Sequence, residues 1–516
     1  MVRVQPLRQS SPGQDTVHGV LRRRARSHPD RPFLSFLDES GAVTTISYGE
    51  MDHRAERMAD LLVSRGIGPG SRFHVHLTNR PEFFDAWFGA AKAGAVMVPT
   101  NPLSTAAELS YVLSHAECRL SLTQPELLTA AQVAAIDSPC CEQLLVTGSE
   151  SLERALATAP ARPAQTVDDP SAPLGVLYTS GTTSRPKGVV VPHAAYLHSG
   201  EVVARQLRLR QEDRQLIVLP LFHGNAQYYS SMSALVTGAS LALTPRFSAS
   251  RWSEQAVRLN ATVASLFAAP IRMILAQQPS AHDTGHRLRA VLFAQNVTDA
   301  QLAEFEGRFQ VPLLQLYGMT ETVAPPLMNP LHGRRRNQSM GRPVSGARLR
   351  VVDERLRDVV RGQSGELLVG GVPGRTLMAG YLGDPEATAG AMGGGWLRTG
   401  DHVRVDSDGF VHFVDRGKDV IKRAGENVSS SEIERVVNAH PAVFESAVVG
   451  VPDPIRDETV KVFVVLNGQH PLAEGELIEW CAARLASFKV PGCVEVVEGL
   501  PRTSVGKIRK HLLRGR

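Results

Sequence analysis

No run of about 18 apolar residues, the length a membrane-spanning helix needs, occurs anywhere in the chain, so no segment is expected to cross a bilayer. Cysteine is scarce: there are five, Cys118, Cys140, Cys141, Cys481 and Cys493, with no Cys-x-x-Cys pair. That odd, scattered set excludes a disulfide framework and a cysteine zinc site, and reduced thiols are expected. The first 32 residues carry Arg22, Arg23 and Arg24 but lack the apolar core of a secretory leader, which points to the cytoplasm. Charge of one sign does not dominate, since 56 Lys and Arg face 51 Asp and Glu. Apart from Arg334-Arg335-Arg336, read as a solvated face, the basic residues are dispersed, and a nucleic-acid partner is not expected.

What is present fills 516 residues, more than one core usually serves, so at least two lobes are expected. From Ser47 the pattern alternates between helix and strand. Ser47 with Glu50 has the form of a capping box, Ala55, Met58, Leu61 and Leu62 give a helical stripe, and Gly66 ends it. Phe73–Leu77 reads as a strand, Pro81–Lys92 as a helix and Ala95–Val98 as a buried strand, the rhythm of an α/β fold. Ala157–Pro173 is an Ala- and Pro-rich connection before the apolar strand Leu174–Tyr178. Near the other end, the alternating run Gly409–Val414 leads into the charged Asp415-Arg416-Gly417-Lys418-Asp419, where a boundary is placed: residues 1–416 form a large multi-sheet N-terminal domain and 417–516 a small α+β domain. The latter is expected to hold a helix opened by Ser429 and Glu432, strands Ser446–Val449 and Lys461–Leu466, and a helix Leu472–Leu485.

The segment Tyr178-Thr179-Ser180-Gly181-Thr182-Thr183-Ser184-Arg185-Pro186-Lys187-Gly188 gathers hydroxyls, glycines and cations directly after an apolar strand. Hydroxyls and backbone N–H groups can wrap a polyphosphate, glycine lets the main chain approach, and Lys187 adds charge. It is not a Walker A loop, because Lys187 precedes Gly188 and Val189 where Ser or Thr is required. The order of residues resembles the signature loop of the adenylate-forming superfamily, which comprises acyl-CoA synthetases, adenylation domains and luciferases.

The resemblance extends from about Tyr48 to Leu513. It implies that Thr179, Ser180, Gly181, Thr182, Thr183, Lys187 and Thr320 hold the ATP phosphates. In Gln315-Leu316-Tyr317-Gly318-Met319-Thr320-Glu321 it gives Tyr317, Gly318 and Gln315 to adenine and Glu321 to magnesium, a hard cation that takes oxygen ligands. Asp401, in Trp396-Leu397-Arg398-Thr399-Gly400-Asp401, and Arg416 fall at ribose positions. Lys507, in Pro501-Arg502-Thr503-Ser504-Val505-Gly506-Lys507-Ile508, stands where the family has the lysine that adenylation requires, and Lys418 where it has its hinge. A carboxylate must attack an anionic phosphate, so a bridging cation relieves repulsion. Lys422 and Gly425 lie on the face that meets coenzyme A, with Ala424 replacing the first glycine of the common Gly-Gly-Glu-Asn pattern.

Leu219-Pro220-Leu221-Phe222-His223-Gly224-Asn225 resembles the border of the acid pocket, with His223 as a candidate catalytic group and Phe222, Asn225, Tyr228 and Tyr229 as lining. Where many members have Gly-Gly-Ala-Pro, this chain has Phe293-Ala294-Gln295-Asn296-Val297. Gln278-Pro279-Ser280-Ala281, His286-Arg287-Leu288-Arg289, Ile421-Lys422-Arg423, Pro454-Ile455-Arg456-Asp457-Glu458 and Phe488-Lys489-Val490-Pro491 resemble the crotonobetaine/carnitine-CoA ligase group.

The expected activity is therefore an ATP- and magnesium-dependent acid-CoA ligase: a small polar acid, of betaine type, becomes an acyl-AMP with pyrophosphate release, then a coenzyme A thioester with AMP release. The rival is an adenylating enzyme that serves a carrier protein or an amine, or that activates nitrite for diazotisation. A catalytically silent nucleotide-binding protein is disfavoured by the joint presence of Lys187, Glu321, Asp401, Arg416 and Lys507. The chain does not end in Ser-Lys-Leu, so no peroxisomal address is expected, and no fused C-terminal carrier domain is expected beyond Lys507. A monomer or homodimer is the expected assembly.

Overall fold

The computed structural model describes residues 15–161, 168–179, 186–416, 419–423, 426–453, 457–468, 472–502 and 508–514. Two large sheets carry the N-terminal part. The first has nine strands, ordered Arg342–Pro343, Leu327–Met328, Leu313–Tyr317, Ala290–Ala294, Val263–Phe267, Arg214–Ile217, Ser240–Leu243, Pro32–Leu37 and Val43–Ser47. The second has seven, ordered Gly380–Tyr381, Lys187–Pro192, Pro173–Thr179, Val96–Pro99, Arg72–His76, Leu120–Thr123 and Gln143–Val146.

Their inner strands pair in parallel, which requires apolar side chains on both faces. Along Val263–Phe267, Val263 joins the core between the two sheets, while Ala264 and Leu266 join a second core on the far side. The period of two is what divides them. Helices Tyr48–Ser64, Pro81–Ala93 and His193–Leu207 fill the space between the sheets with Met51, Ala55, Met58, Trp87, Phe88 and Tyr196, all fully or nearly fully buried.

Ser47 caps its helix by accepting the Glu50 N–H, but the reciprocal bond to the Glu50 carboxylate is not made. The expected capping box is thus a simple cap. Thr105 with Glu108 makes both bonds before Ala106–His115. A third, five-stranded sheet includes Trp396–Val405 and Val411–Arg416. The chain then changes sheets: Val420–Arg423 belongs to a separate five-stranded sheet with Glu426–Ser429, Asp457–Leu466, Val443–Asp453 and Cys493–Val496. Ser429 caps helix Ser430–Asn438 through the Glu432 N–H. The last expected helix is shorter than its apolar pattern, Glu474–Ala482, and the two expected strands are longer, because their pairing runs the full length from Val443–Leu466 to Asp453–Asp457. The five cysteines are free thiols, and no helix among the described residues is long and apolar enough to cross a membrane.

Strand Arg72–His76 buries His74 and His76 on one face, with both rings bonded to the Thr100 hydroxyl and His74 also to Ser121. Burial holds His74 well below the usual histidine range and lowers His76 to about 4, and His193 and His198 are lowered to about 3 and about 4 by the same cause. These rings stay neutral when folded but take protons when unfolded, so the unfolded state binds more protons as the pH falls from 6.5 towards 4. Stability should drop through that window, by up to about 3 kcal/mol for His76, and level off below it. Urea unfolding at pH 7.5 and pH 5 checks this: an unchanged midpoint contradicts it.

Candidate active site

Strands Pro173–Thr179 and Lys187–Pro192 form an antiparallel pair with Thr179 directly opposite Lys187. Ser180, Gly181, Thr182 and Thr183 of the hydroxyl-rich loop lie outside the described residues, and the ladder brings the two ends of that loop together. Lys187 Nζ sits 5.0 Å from the Tyr381 ring centroid. The Tyr381 hydroxyl in turn donates to Glu321 Oε1 at 3.0 Å. Burial and the charge of Glu321 push the Tyr381 phenol well up, so it remains a proton donor. Tyr381 was not singled out by sequence; its only local sign is an aromatic between Gly380 and Gly383. It reaches the site because Gly380–Tyr381 pairs with Val189–Val190 at the sheet edge.

Glu321 is buried, and its segment follows the end of strand Leu313–Tyr317. The turn is held tightly: Met319 N–H donates to the Thr322 hydroxyl, and Val323 N–H to the Thr320 carbonyl. Val323 is fully buried at φ +55°, a conformation unfavourable for a β-branched residue, while its carbonyl accepts the Ser199 hydroxyl. The Tyr317 hydroxyl donates to Asp401 Oδ2 at 2.6 Å, which joins the adenine and ribose candidates. Asp401 is buried and lies opposite Arg416 in the ladder, where the side chain of Arg416 is outside the described residues. Gln315 is buried and donates to the Gln295 carbonyl, so its amide is already part-used. Gln295 itself takes φ +76°.

Gly318 has a steric reason. A Cβ there would overlap the Tyr229 hydroxyl. Gly318→Ala should lower kcat/KM for ATP on the order of 10²-fold by displacing the Tyr317 turn. Adding Tyr229→Phe removes the overlapping oxygen and should restore most of the loss; pyrophosphate-exchange kinetics on the single and double variants decide.

The acid-pocket candidates sit on an unusual element. Asn225–Ser231 is a π-helix, a form that concentrates at functional sites. Asn79 positions its approach, donating to the Leu219 carbonyl and accepting the Leu221 N–H. The His223 ring lies 6.0 Å from that of Phe222 and 5.9 Å from that of Phe267. Asn225 and Tyr228 are buried. The Tyr228 phenol is pushed well up, by burial first and then by Tyr196, Tyr229 and Glu321.

Lys418, Gly425 and Lys507 lie outside the described residues, as does the side chain of Lys422, whose backbone pairs with Asn427. Their neighbours connect the two domains. Glu445 is buried between Arg502 of its own domain and Arg272 of helix Ala268–Leu275, 3.7 Å away. Asp415 Oδ2 accepts both Ser430 N–H and the Ser430 hydroxyl, and Lys510 Nζ reaches that hydroxyl at 2.7 Å and Glu434 at 2.8 Å. Burial opposes the Lys510 charge, but Glu434 and Asp415 outweigh it and its pKa is raised. Arg334, Arg335 and Arg336 pair with Asp408, Glu306 and Asp406, which accounts for that basic run.

The buried Glu321 carboxylate, with the Tyr381 hydroxyl on one oxygen, is an all-oxygen donor group that suits magnesium. Among the described residues no cluster of three or more His, Cys, Asp and Glu is assembled, so such an ion would rely on phosphate and water for its other ligands.

Residues 21–382 match the AMP-binding enzyme family and residues 432–507 the AMP-binding enzyme C-terminal domain. The chain is 37% identical over 505 residues to a crotonobetaine/carnitine–CoA ligase of Proteus mirabilis, covering 95% of this chain and 97% of that one. The solved anthranilate CoA ligase AuaEII in complex with anthranoyl-AMP superposes with a TM-score of 0.90 at 25% identity, covering 98% of each chain. ATP-bound MatB from Rhodopseudomonas palustris superposes at 0.87 with 29% identity, covering 97% of this chain and 98% of that one. ATP, magnesium and coenzyme A are the requirements common to AMP-binding acyl-CoA ligases. With two family matches in the expected order and a near full-length relative, this chain belongs to the AMP-binding enzyme family and is an AMP-forming acid–CoA ligase.

Proposed function

We propose that the enzyme activates a small polar acid, with betaine-type acids as first candidates, and passes the acyl group to coenzyme A. The observation that carries the reading is the convergence of Lys187, Tyr381 and Glu321 with the Tyr317–Asp401 pair, beside the π-helix. The name of the crotonobetaine/carnitine–CoA ligase relative supports the choice of acid.

In this reading Thr179, Ser180, Gly181, Thr182, Thr183, Lys187 and Thr320 hold the phosphates, Tyr317 and Gly318 border adenine, and Asp401 and Arg416 hold the ribose. Bound magnesium, held by Glu321, would neutralise phosphate charge. His223 orients the acid at the pocket mouth. An acid oxygen attacks the α-phosphorus, the bond to pyrophosphate breaks, and Lys507 offsets the charge on both partners. The C-terminal domain, residues 417–516, then turns about Lys418 and presents Lys422 and Gly425 to the pantetheine arm. The thiolate attacks the acyl carbon and AMP leaves.

ATP–pyrophosphate exchange over a panel of acids, repeated with coenzyme A while thioester mass is followed, tests this. Exchange with a betaine-type acid and a new thioester is expected. Exchange without a thioester would instead indicate a carrier protein, an amine or, with nitrite, diazotisation as the outcome.

A further inference from the structure

Helix Ala106–His115 packs on the seven-stranded sheet, where its Leu109, Val112 and Leu113 share a core with Val96, Val98 and Val176. The Thr105 and Glu108 capping box fixes its first turn, so the helix is a firm platform. Tyr111 and His115 stand four residues apart, on one face of it, and both reach the hairpin that carries Thr179 and Lys187. The Tyr111 hydroxyl donates to the Pro186 carbonyl at 2.8 Å, and His115 Nδ1 lies 2.7 Å from the Tyr178 hydroxyl. Both rings also meet the Tyr178 ring edge to face, with centroids 6.2 Å and 5.7 Å away. One helix thereby grips both sides of the hairpin, since Tyr178 is paired with Gly188 beside Lys187.

The bond to Pro186 has a particular leverage. The proline ring sets φ at that residue, which leaves ψ, and ψ decides where its carbonyl points. The Tyr111 hydroxyl restrains it. Because the peptide group is planar, a fixed Pro186 carbonyl also fixes the plane that ends at the Lys187 Cα, and with it the direction in which the lysine side chain leaves the strand. That side chain ends with Nζ over the Tyr381 ring, and the Tyr381 hydroxyl holds Glu321. A small rotation at Pro186 is magnified along the whole length of the lysine.

Given the reading in which Lys187 holds ATP phosphate, we infer that Tyr111 is a positioning residue for adenylation: its hydroxyl sets the aim of Lys187 through the Pro186 carbonyl. It acts through the main chain and not on the reacting atoms. The consequence is an asymmetry between the half-reactions. Polyphosphate is present while ATP reacts and has left as pyrophosphate before the thiol attacks, so a misaimed Lys187 weakens the first step and spares the second.

Tyr111→Phe keeps the ring and its packing, and the contact of His115 with Tyr178 still docks the helix. In ATP–pyrophosphate exchange the variant should raise KM for ATP about 10-fold, with kcat changed far less. Thioester formation from preformed acyl-AMP and coenzyme A should keep its normal rate, and the melting temperature should fall by no more than about 3 °C. Lys187→Met should raise the same KM, and adding Tyr111→Phe to it should change little more, because the two residues act in series. If Lys187→Met leaves KM for ATP unchanged, the phosphate reading fails and this inference with it. If Lys187→Met raises KM but Tyr111→Phe does not, slows both half-reactions alike, or keeps its full effect in the Lys187→Met background, the phosphate reading stands and the positioning role of Tyr111 is overturned.

Discussion

Lys507→Ala should reduce ATP–pyrophosphate exchange by about 10²-fold or more, the scale set by losing one well-placed electrostatic stabiliser. The same variant, given preformed acyl-AMP and coenzyme A, should form thioester at nearly the normal rate. The contrast follows from the charges. In the first step an anionic oxygen approaches an anionic phosphate; in the second a thiolate approaches a neutral acyl carbon, and the cation has no comparable work. Rapid-quench assays of the two half-reactions check it. Equal losses in both would remove Lys507 from its assigned role.

Glu445→Gln should depress exchange on the order of 10²-fold by a different route. The carboxylate lies between Arg272 and Arg502, all three largely buried. Neutralising it leaves two guanidinium groups facing each other without an anion, and breaking a buried ion cluster in this way costs about 3–5 kcal/mol at the upper end. Arg272 is on the N-terminal domain, whereas Arg502 and Glu445 are on the C-terminal one, so the cost falls on their docking. Arg502 stands five positions before Lys507 in sequence, so loss of this contact is expected to impair the step proposed for that lysine. Restoring balance with Arg272→Met in the Glu445→Gln background should recover part of the rate. No recovery, with the C-terminal domain folded by circular dichroism, would argue against docking as the cause.

Much of this was legible from local chemistry. The loop that leaves Thr179 and the Tyr317–Glu321 turn follow apolar strands, and strand ends are where a layered α/β fold presents ligand-binding side chains, whereas Asp401 lies inside strand Trp396–Val405 and was read from its motif. The caps at Ser47 and Ser429 were equally local, although Glu50 does not complete its box. What stayed hidden depends on distant pairing. Tyr381 meets Glu321 across 60 residues, Asn79 meets Leu221 across 142, and no spacing in the chain announces either. Val323 is a β-branched residue that sequence alone would place in an extended or helical conformation; the Ser199 bond and close packing hold it in the left-handed one.

The register of the Thr179–Lys187 hairpin carries one more implication. Because Thr179 and Lys187 face each other in one ladder, the seven residues between them in sequence, 180–186, can be exchanged as one cassette. A loop of equal length from another family member should be exchangeable without disturbing the sheet. Removing a single residue from strand Lys187–Pro192 is a far more drastic edit than rewriting the whole cassette, since a one-place slip turns every side chain of that strand to the opposite face and swings the lysine out of the site.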